Sequence, residues 1–118
     1  MSSSGRMWAF RLRHMIEAVQ HIVQYTQGMT FEQFCHDLMI VKAVAYNFVI
    51  IGEAARHIPP EVVAAYPKVP WATMRAMRNV VIHEYDHIDL VSVWDTIAQD
   101  LPPLVPRLKA VLEAEVDE

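Results

Sequence analysis

The chain has 118 residues, 53% of them apolar, only three glycines, and a formal net charge of −4. Such a length fits one domain whose core is large enough to fold without disulfides or a structural metal, and the composition excludes disordered and collagen-like chains. Mild acidity excludes a protein that coats nucleic acid through long-range attraction, so any RNA contact has to be local.

The lone cysteine, Cys35, has no internal disulfide partner, and the first residues lack the basic, apolar, small-residue order of a signal peptide. A reducing, cytoplasmic setting is expected. The apolar run 38–51 is interrupted by Lys42 and Asn47 and is shorter than the roughly 20 residues that cross a bilayer. It reads as a buried helix, with no membrane contact.

Residues 1–5 form a Ser/Gly-rich lead expected to be flexible, with Met7 as a second candidate start, and 6–118 read as a single helical domain. From Arg6, Trp8, Leu12, Met15, Ile16, Val19, Ile22 and Val23 recur at three- and four-residue spacing, which predicts an amphipathic helix ending at Gly28. Thr30 with Gln33 has the form of a capping box, and the pattern predicts one unbroken second helix to His57, stopped by Pro59-Pro60. A short helical turn is expected over 61–65, followed by a change of direction at Pro67-Lys68-Val69-Pro70.

Trp71, Met74, Met77, Val81 and Ile82 predict a third helix from Pro70 to about 85–87. Asp89 is the expected N-cap of a fourth, with Leu90, Val93, Trp94, Ile97 and Leu101 inward. Pro102, Pro103 and Pro106 then interrupt the chain before a last helix over 108–116. No stretch of useful length alternates with period two. The expected fold class is all-α, an antiparallel bundle of four to five helices.

One stretch departs from packing logic: Arg78-Asn-Val-Val-Ile-His-Glu-Tyr85. A guanidinium stays charged at any working pH and grips phosphate in a bidentate contact, while an imidazole moves protons near neutrality. Arg78 and His83 together therefore suggest phosphoester chemistry on RNA. On a continuous helix Asn79 would lie one turn below His83, and Tyr85 would return to the Arg78 side. The spacing alone is a weak signal, and a surface ion pair of Arg78 with a carboxylate such as Glu53 beside a satisfied histidine is the bland reading. Lys68, Arg75, Arg78, His83 and His87 add a local positive bias.

The sequence resembles the HEPN superfamily and, within it, the HepT toxins. The resemblance is carried by Arg11-Leu-Arg-His-Met-Ile-Glu-Ala, Tyr25-Thr-Gln-Gly-Met-Thr-Phe-Glu-Gln-Phe, Ile50-Ile-Gly-Glu-Ala-Ala, Tyr66-Pro-Lys-Val-Pro-Trp, Met77-Arg-Asn-Val-Val-Ile-His-Glu-Tyr and Val93-Trp-Asp-Thr-Ile-Ala-Gln-Asp-Leu-Pro. These blocks span nearly the whole chain from Arg11 onward.

The resemblance implies a HEPN-like bundle acting as an endoribonuclease toxin, a homodimer needing no metal or other cofactor and cleaving cellular RNA, including tRNA. The family motif maps onto Arg78, His83 and Tyr85. In the family an MntA-like nucleotidyltransferase antitoxin silences the toxin by AMPylation of the motif tyrosine, here Tyr85. Arg78, His83 and Asn79 are the expected catalytic residues, and Glu53, Asn47 and Arg75 the supporting ones.

Two departures stand out. Where relatives carry Arg-Asn-Leu-Glu, this chain has Tyr46-Asn47-Phe48-Val49, and Asp86-His87 replace an aromatic residue and glycine after the motif tyrosine. Two rival readings remain open. His83-Glu84-Tyr85-Asp86-His87 overlaps a His-Glu-any-any-His zinc pattern, in which histidines one helical turn apart ligate metal. The non-enzymatic alternative is a HEPN module that binds nucleotides or a protein partner without cleaving RNA.

Overall fold

A computed structural model describes residues 4–82 and 87–116, and among these the fold is all-α, with one very small strand pair. Helix α1 spans Ser4–Thr26. Trp8, Leu12, Met15, Ile16, Val19 and Ile22 are buried along one face, as their spacing predicts, but Val23 is exposed. Gly28, at φ 78°, supplies the left-handed turn that ends the segment, and Thr26 Oγ1 donates back to the Ile22 carbonyl at 2.8 Å.

The expected unbroken second helix is instead two. Helix α2, Phe31–His36, begins with the predicted capping box: the Thr30 hydroxyl accepts from Gln33 N–H, and Gln33 Oε1 accepts from Thr30 N–H. The chain leaves helical geometry at Asp37 (ψ 88°), whose carboxylate accepts from Ile40 N–H and caps helix α3, Leu38–Ala55. A short acidic side chain that satisfies the next helix's free N–H makes the break favourable, and apolar periodicity carries no trace of it. Helix α3 is apolar and long enough by composition to cross a membrane, yet half of it is buried inside the bundle, where it packs on α1, α2 and α5.

Helix α4, Pro60–Ala65, is the expected short turn. Helix α5, Trp71–Ala76, follows, anchored by Trp71 Nε1 donating to the Tyr66 carbonyl at 2.9 Å. Here the prediction of a helix through the motif fails. Past Ala76 the chain tightens into a 3-10 turn, Met77–Asn79, then enters strand β1, Val81–Ile82, paired antiparallel with β2, His87–Ile88. The β-branched run Val80-Val81-Ile82 explains the change, since such side chains lose rotamer freedom in a helix and fit an extended ladder.

Asp89 caps helix α6, Leu90–Gln99, by accepting from Ser92 N–H at 3.1 Å, as expected. Val93, Ile97 and Leu101 are buried, while Leu90 and Trp94 are half-buried. Helix α7 begins at Leu104, four residues before the predicted start, because Pro106 falls in the first turn, where a missing N–H costs nothing. The described chain thus has four helices of ten residues or more and three short ones.

The core gathers Leu12, Met15 and Ile22 of α1 with Val44 and Ile51 of α3, Met74 of α5, and Leu104 and Leu108 of α7. Because Asp37 supplies the α3 cap, Asp37→Ala should destabilise the fold by about 1 kcal/mol in urea denaturation with an unchanged m-value.

Candidate functional site

The motif arginine is positioned by backbone contact. Gly52 lies buried on the face of α3 that meets the 3-10 turn. A Cβ built there would lie 2.7 Å from Arg78 Cβ and 2.9 Å from Arg78 Cα, and would also strike Arg78 N. Only glycine permits this approach. The next residue, Glu53, then brings a carboxylate oxygen to 3.7 Å from Arg78 Nη1. The Ile50-Ile-Gly-Glu block therefore docks and faces Arg78.

Glu53 is shared. Arg56 Nη1 donates to both its oxygens, at 3.2 and 3.3 Å, so the carboxylate is held more firmly by Arg56 than by Arg78. All three side chains are 40–49% exposed, where such pairs contribute about 0–1 kcal/mol. Arg78 is thus oriented without its donors being used up. A phosphate can take them in a bidentate contact. The Arg78–Glu53 pair of the bland reading is thus present, but at 3.7 Å and on an exposed side chain it leaves the guanidinium available for ligand.

Met77 is buried and anchors the 3-10 turn, so Arg78 and Asn79 face outward from it. Asn79 lines a cavity of about 340 Å³ with Phe48, Thr73, Met77, Asp89 and Ser92. Arg75, half-buried, lies in the last turn of α5. Asn47 is not at this site: it is 5% exposed, its Nδ2 donates to the Ala43 carbonyl at 2.8 Å, and it lines a groove between α1 and α3. His83 and Tyr85 lie outside the described residues. The helical stacking expected of Asn79 under His83 does not follow, because the helix has ended by Asn79.

The zinc-like pattern loses its helical context as well, since His87 lies on strand β2. Among the described residues no three or more His, Cys, Asp or Glu side chains form a group suited to a metal. Two site residues escaped sequence reasoning. Gly52 was visible as a glycine inside an apolar helix, and Arg56 as a cation three residues after Glu53 on the same helix.

Comparison with known proteins identifies the family. Residues 15–111 match the family model described as ribonuclease HepT-like. The chain belongs to the HepT-like ribonuclease family. It is 32% identical over 104 residues to "Putative RNase TTE0752" of Caldanaerobacter subterraneus subsp. tengcongensis, covering 88% of this chain and 93% of that protein. It is 36% identical over 93 residues to "Probable ribonuclease HepT" of Thermococcus cleftensis, covering 79% and 84% respectively. A further relative, "Putative RNase MJ0127" of Methanocaldococcus jannaschii, is 30% identical over 102 residues, or 86% of this chain and 84% of that protein. No solved structure matches the chain.

The close approach at Gly52 gives a direct test of this HepT-like site. Gly52→Ala has to push the 3-10 turn off α3, and should cost about 1–3 kcal/mol of stability. Ribonuclease activity should fall by more than the folded fraction measured by circular dichroism.

Proposed function

We propose that this chain is a metal-independent endoribonuclease, the toxin of a toxin–antitoxin pair, whose substrate is cellular RNA including tRNA. The observation that carries this reading is Arg78, the family's motif position, docked on Gly52 and only loosely engaged by Glu53. Membership in the HepT-like ribonuclease family supports the same chemistry.

In this mechanism the ribose 2′-oxygen attacks the adjacent phosphorus while a general base takes the 2′-hydroxyl proton. The P–O5′ bond breaks, and a general acid protonates the departing 5′-oxygen. Products are a 2′,3′-cyclic phosphate and a 5′-hydroxyl. Arg78 binds the phosphoryl oxygens as charge builds on them, and Asn79 orients either the phosphate or His83. His83 moves the protons. Base and acid roles need two imidazoles, which a homodimer supplies by bringing two copies of the motif together.

An MntA-like nucleotidyltransferase antitoxin is the proposed partner. Transfer of AMP to the Tyr85 hydroxyl would place bulk and negative charge in the path of the RNA phosphate and block binding by sterics and repulsion. The reducing cytoplasm is the proposed setting.

Arg78→Ala and His83→Ala should each lower RNA cleavage by about 100-fold or more, with 3′ ends of wild-type products mapping as cyclic phosphates. Equal residual cleavage by wild type and both variants would overturn the nuclease reading. EDTA should leave the rate unchanged, whereas loss of activity restored by zinc would revive the metal reading. Mass spectrometry of protein made together with a neighbouring nucleotidyltransferase should find one AMP, on Tyr85.

A further inference from the structure

Away from Arg78 the structure contains a second polar groove, about 330 Å³ in volume, between α1 and α3. His14, Glu17 and His21 of α1 line one side, and Tyr46, Asn47 and Ile50 of α3 the other. Tyr46 is 68% exposed, far more than a packing role for its ring requires. The ring faces on α1 are ordered: Phe10 lies 4.2 Å from His14, and His21 stacks on Tyr25 at 5.9 Å with planes 15° apart. Such surfaces accept a flat heteroaromatic ring.

The hydrogen-bonding groups are more telling. Asn47 is 95% buried and spends its amide N–H on the Ala43 carbonyl, but its Oδ1 accepts no hydrogen bond from any described residue. Among the described residues no fully buried polar side-chain atom lacks a partner, so this oxygen keeps some exposure, and Asn47 lines the groove. The Glu17 carboxylate, exposed on the same lining, forms no ion pair with any described residue. The groove therefore presents two acceptor sites, the Glu17 carboxylate and Asn47 Oδ1, beside the rings of His14, His21 and Tyr46.

We infer that this groove is a base-binding subsite for guanine in single-stranded RNA, with Glu17 and Asn47 accepting from the base edge and Tyr46 and His14 stacking on its faces. Guanine alone among the four RNA bases offers two adjacent donors, N1–H and N2–H, on its Watson–Crick edge, a pair that a carboxylate accepts in a bidentate contact. Adenine, cytosine and uracil each place a ring acceptor or a carbonyl beside their donor, facing the Glu17 oxygens. A carboxylate there also repels phosphate, so the base rather than the backbone enters. Lys42, exposed one turn before Tyr46, is available to the backbone outside.

Location supports the assignment. Tyr46 and Ile50 of the groove share one stripe of α3 with Glu53, the partner of Arg78, and Tyr46 lies about 10 Å from Glu53 along the helix axis. A base held in the groove then belongs to a nucleotide close to the phosphate on Arg78. The inference rests on the ribonuclease reading for its substrate, but binding tests it separately from cleavage.

The test uses the full chain and two short single-stranded RNAs that differ only by guanosine or inosine at one position, since inosine lacks the 2-amino group. Fluorescence anisotropy should show about tenfold tighter binding to the guanosine RNA. Glu17→Gln and Tyr46→Ala should lose that preference with unchanged circular dichroism. Arg78→Ala should bind both RNAs more weakly and keep the ratio. Equal affinity of the wild type for the two RNAs overturns the subsite, as does retention of the preference by both groove variants. If Tyr46→Ala turns a dimer into a monomer by light scattering, the groove belongs to a second copy of the chain and the inference also fails. Base preference without cleavage would leave the subsite standing and remove the nuclease reading, while cleavage without preference would do the reverse.

Discussion

The contact between the backbone of Arg78 and the bare Cα of Gly52 is the constraint on which the functional geometry depends. Helix α3 is packed chiefly on α1, so its position is set by the core. Gly52 lets the 3-10 turn settle against that fixed surface closely enough that no side chain intervenes. Glu53, the next residue, is then at the right height to meet the guanidinium. An arginine placed through its own main chain is held more rigidly at its base than one placed only through a long, exposed side chain.

Electrostatics at the site follow from that placement. One carboxylate sits between two guanidinium groups and favours Arg56, so the local charge stays positive in an otherwise acidic protein. Long-range attraction of RNA is weak in a chain with a net charge of −4. The proposed recognition is accordingly short-range: a bidentate phosphate contact at Arg78, and base stacking with donor–acceptor pairing in the α1/α3 groove. Tyr46 of the groove and Glu53, which meets Arg78, lie about two turns apart on α3, so that helix sets the spacing between the two.

The departure at Tyr46 gains a physical meaning from this layout. Tyr46, the first residue of the stretch in which this chain departs from the pattern it resembles, exposes a phenol ring on the rim of the groove, next to an asparagine whose oxygen accepts no hydrogen bond from any described residue. Val49, in place of an acidic residue, is half-buried on the same helix. A change that looks like a loss of charge in the sequence becomes, in three dimensions, a change in the character of one surface.

Much was legible in the residues alone. The all-α class, the buried stripe of α1, the capping box at Thr30, the Asp89 cap and the family all follow from periodicity, cap chemistry and ordered sequence blocks, because each is a local signal repeated many times. Three helix boundaries were not legible, the start of α7 at Leu104 among them. Asp37 breaks a pattern that stays apolar on both sides, and the β-branched run after Asn79 ends a helix whose hydrophobic spacing continues to Ile82. Periodicity reports which face is buried and is nearly blind to a residue that redirects the backbone. The roles of Gly52, Arg56 and the Asn47 groove were decided only by the tertiary structure. Each depends on two segments distant in sequence meeting at a few ångströms, a relation that one-dimensional spacing does not encode.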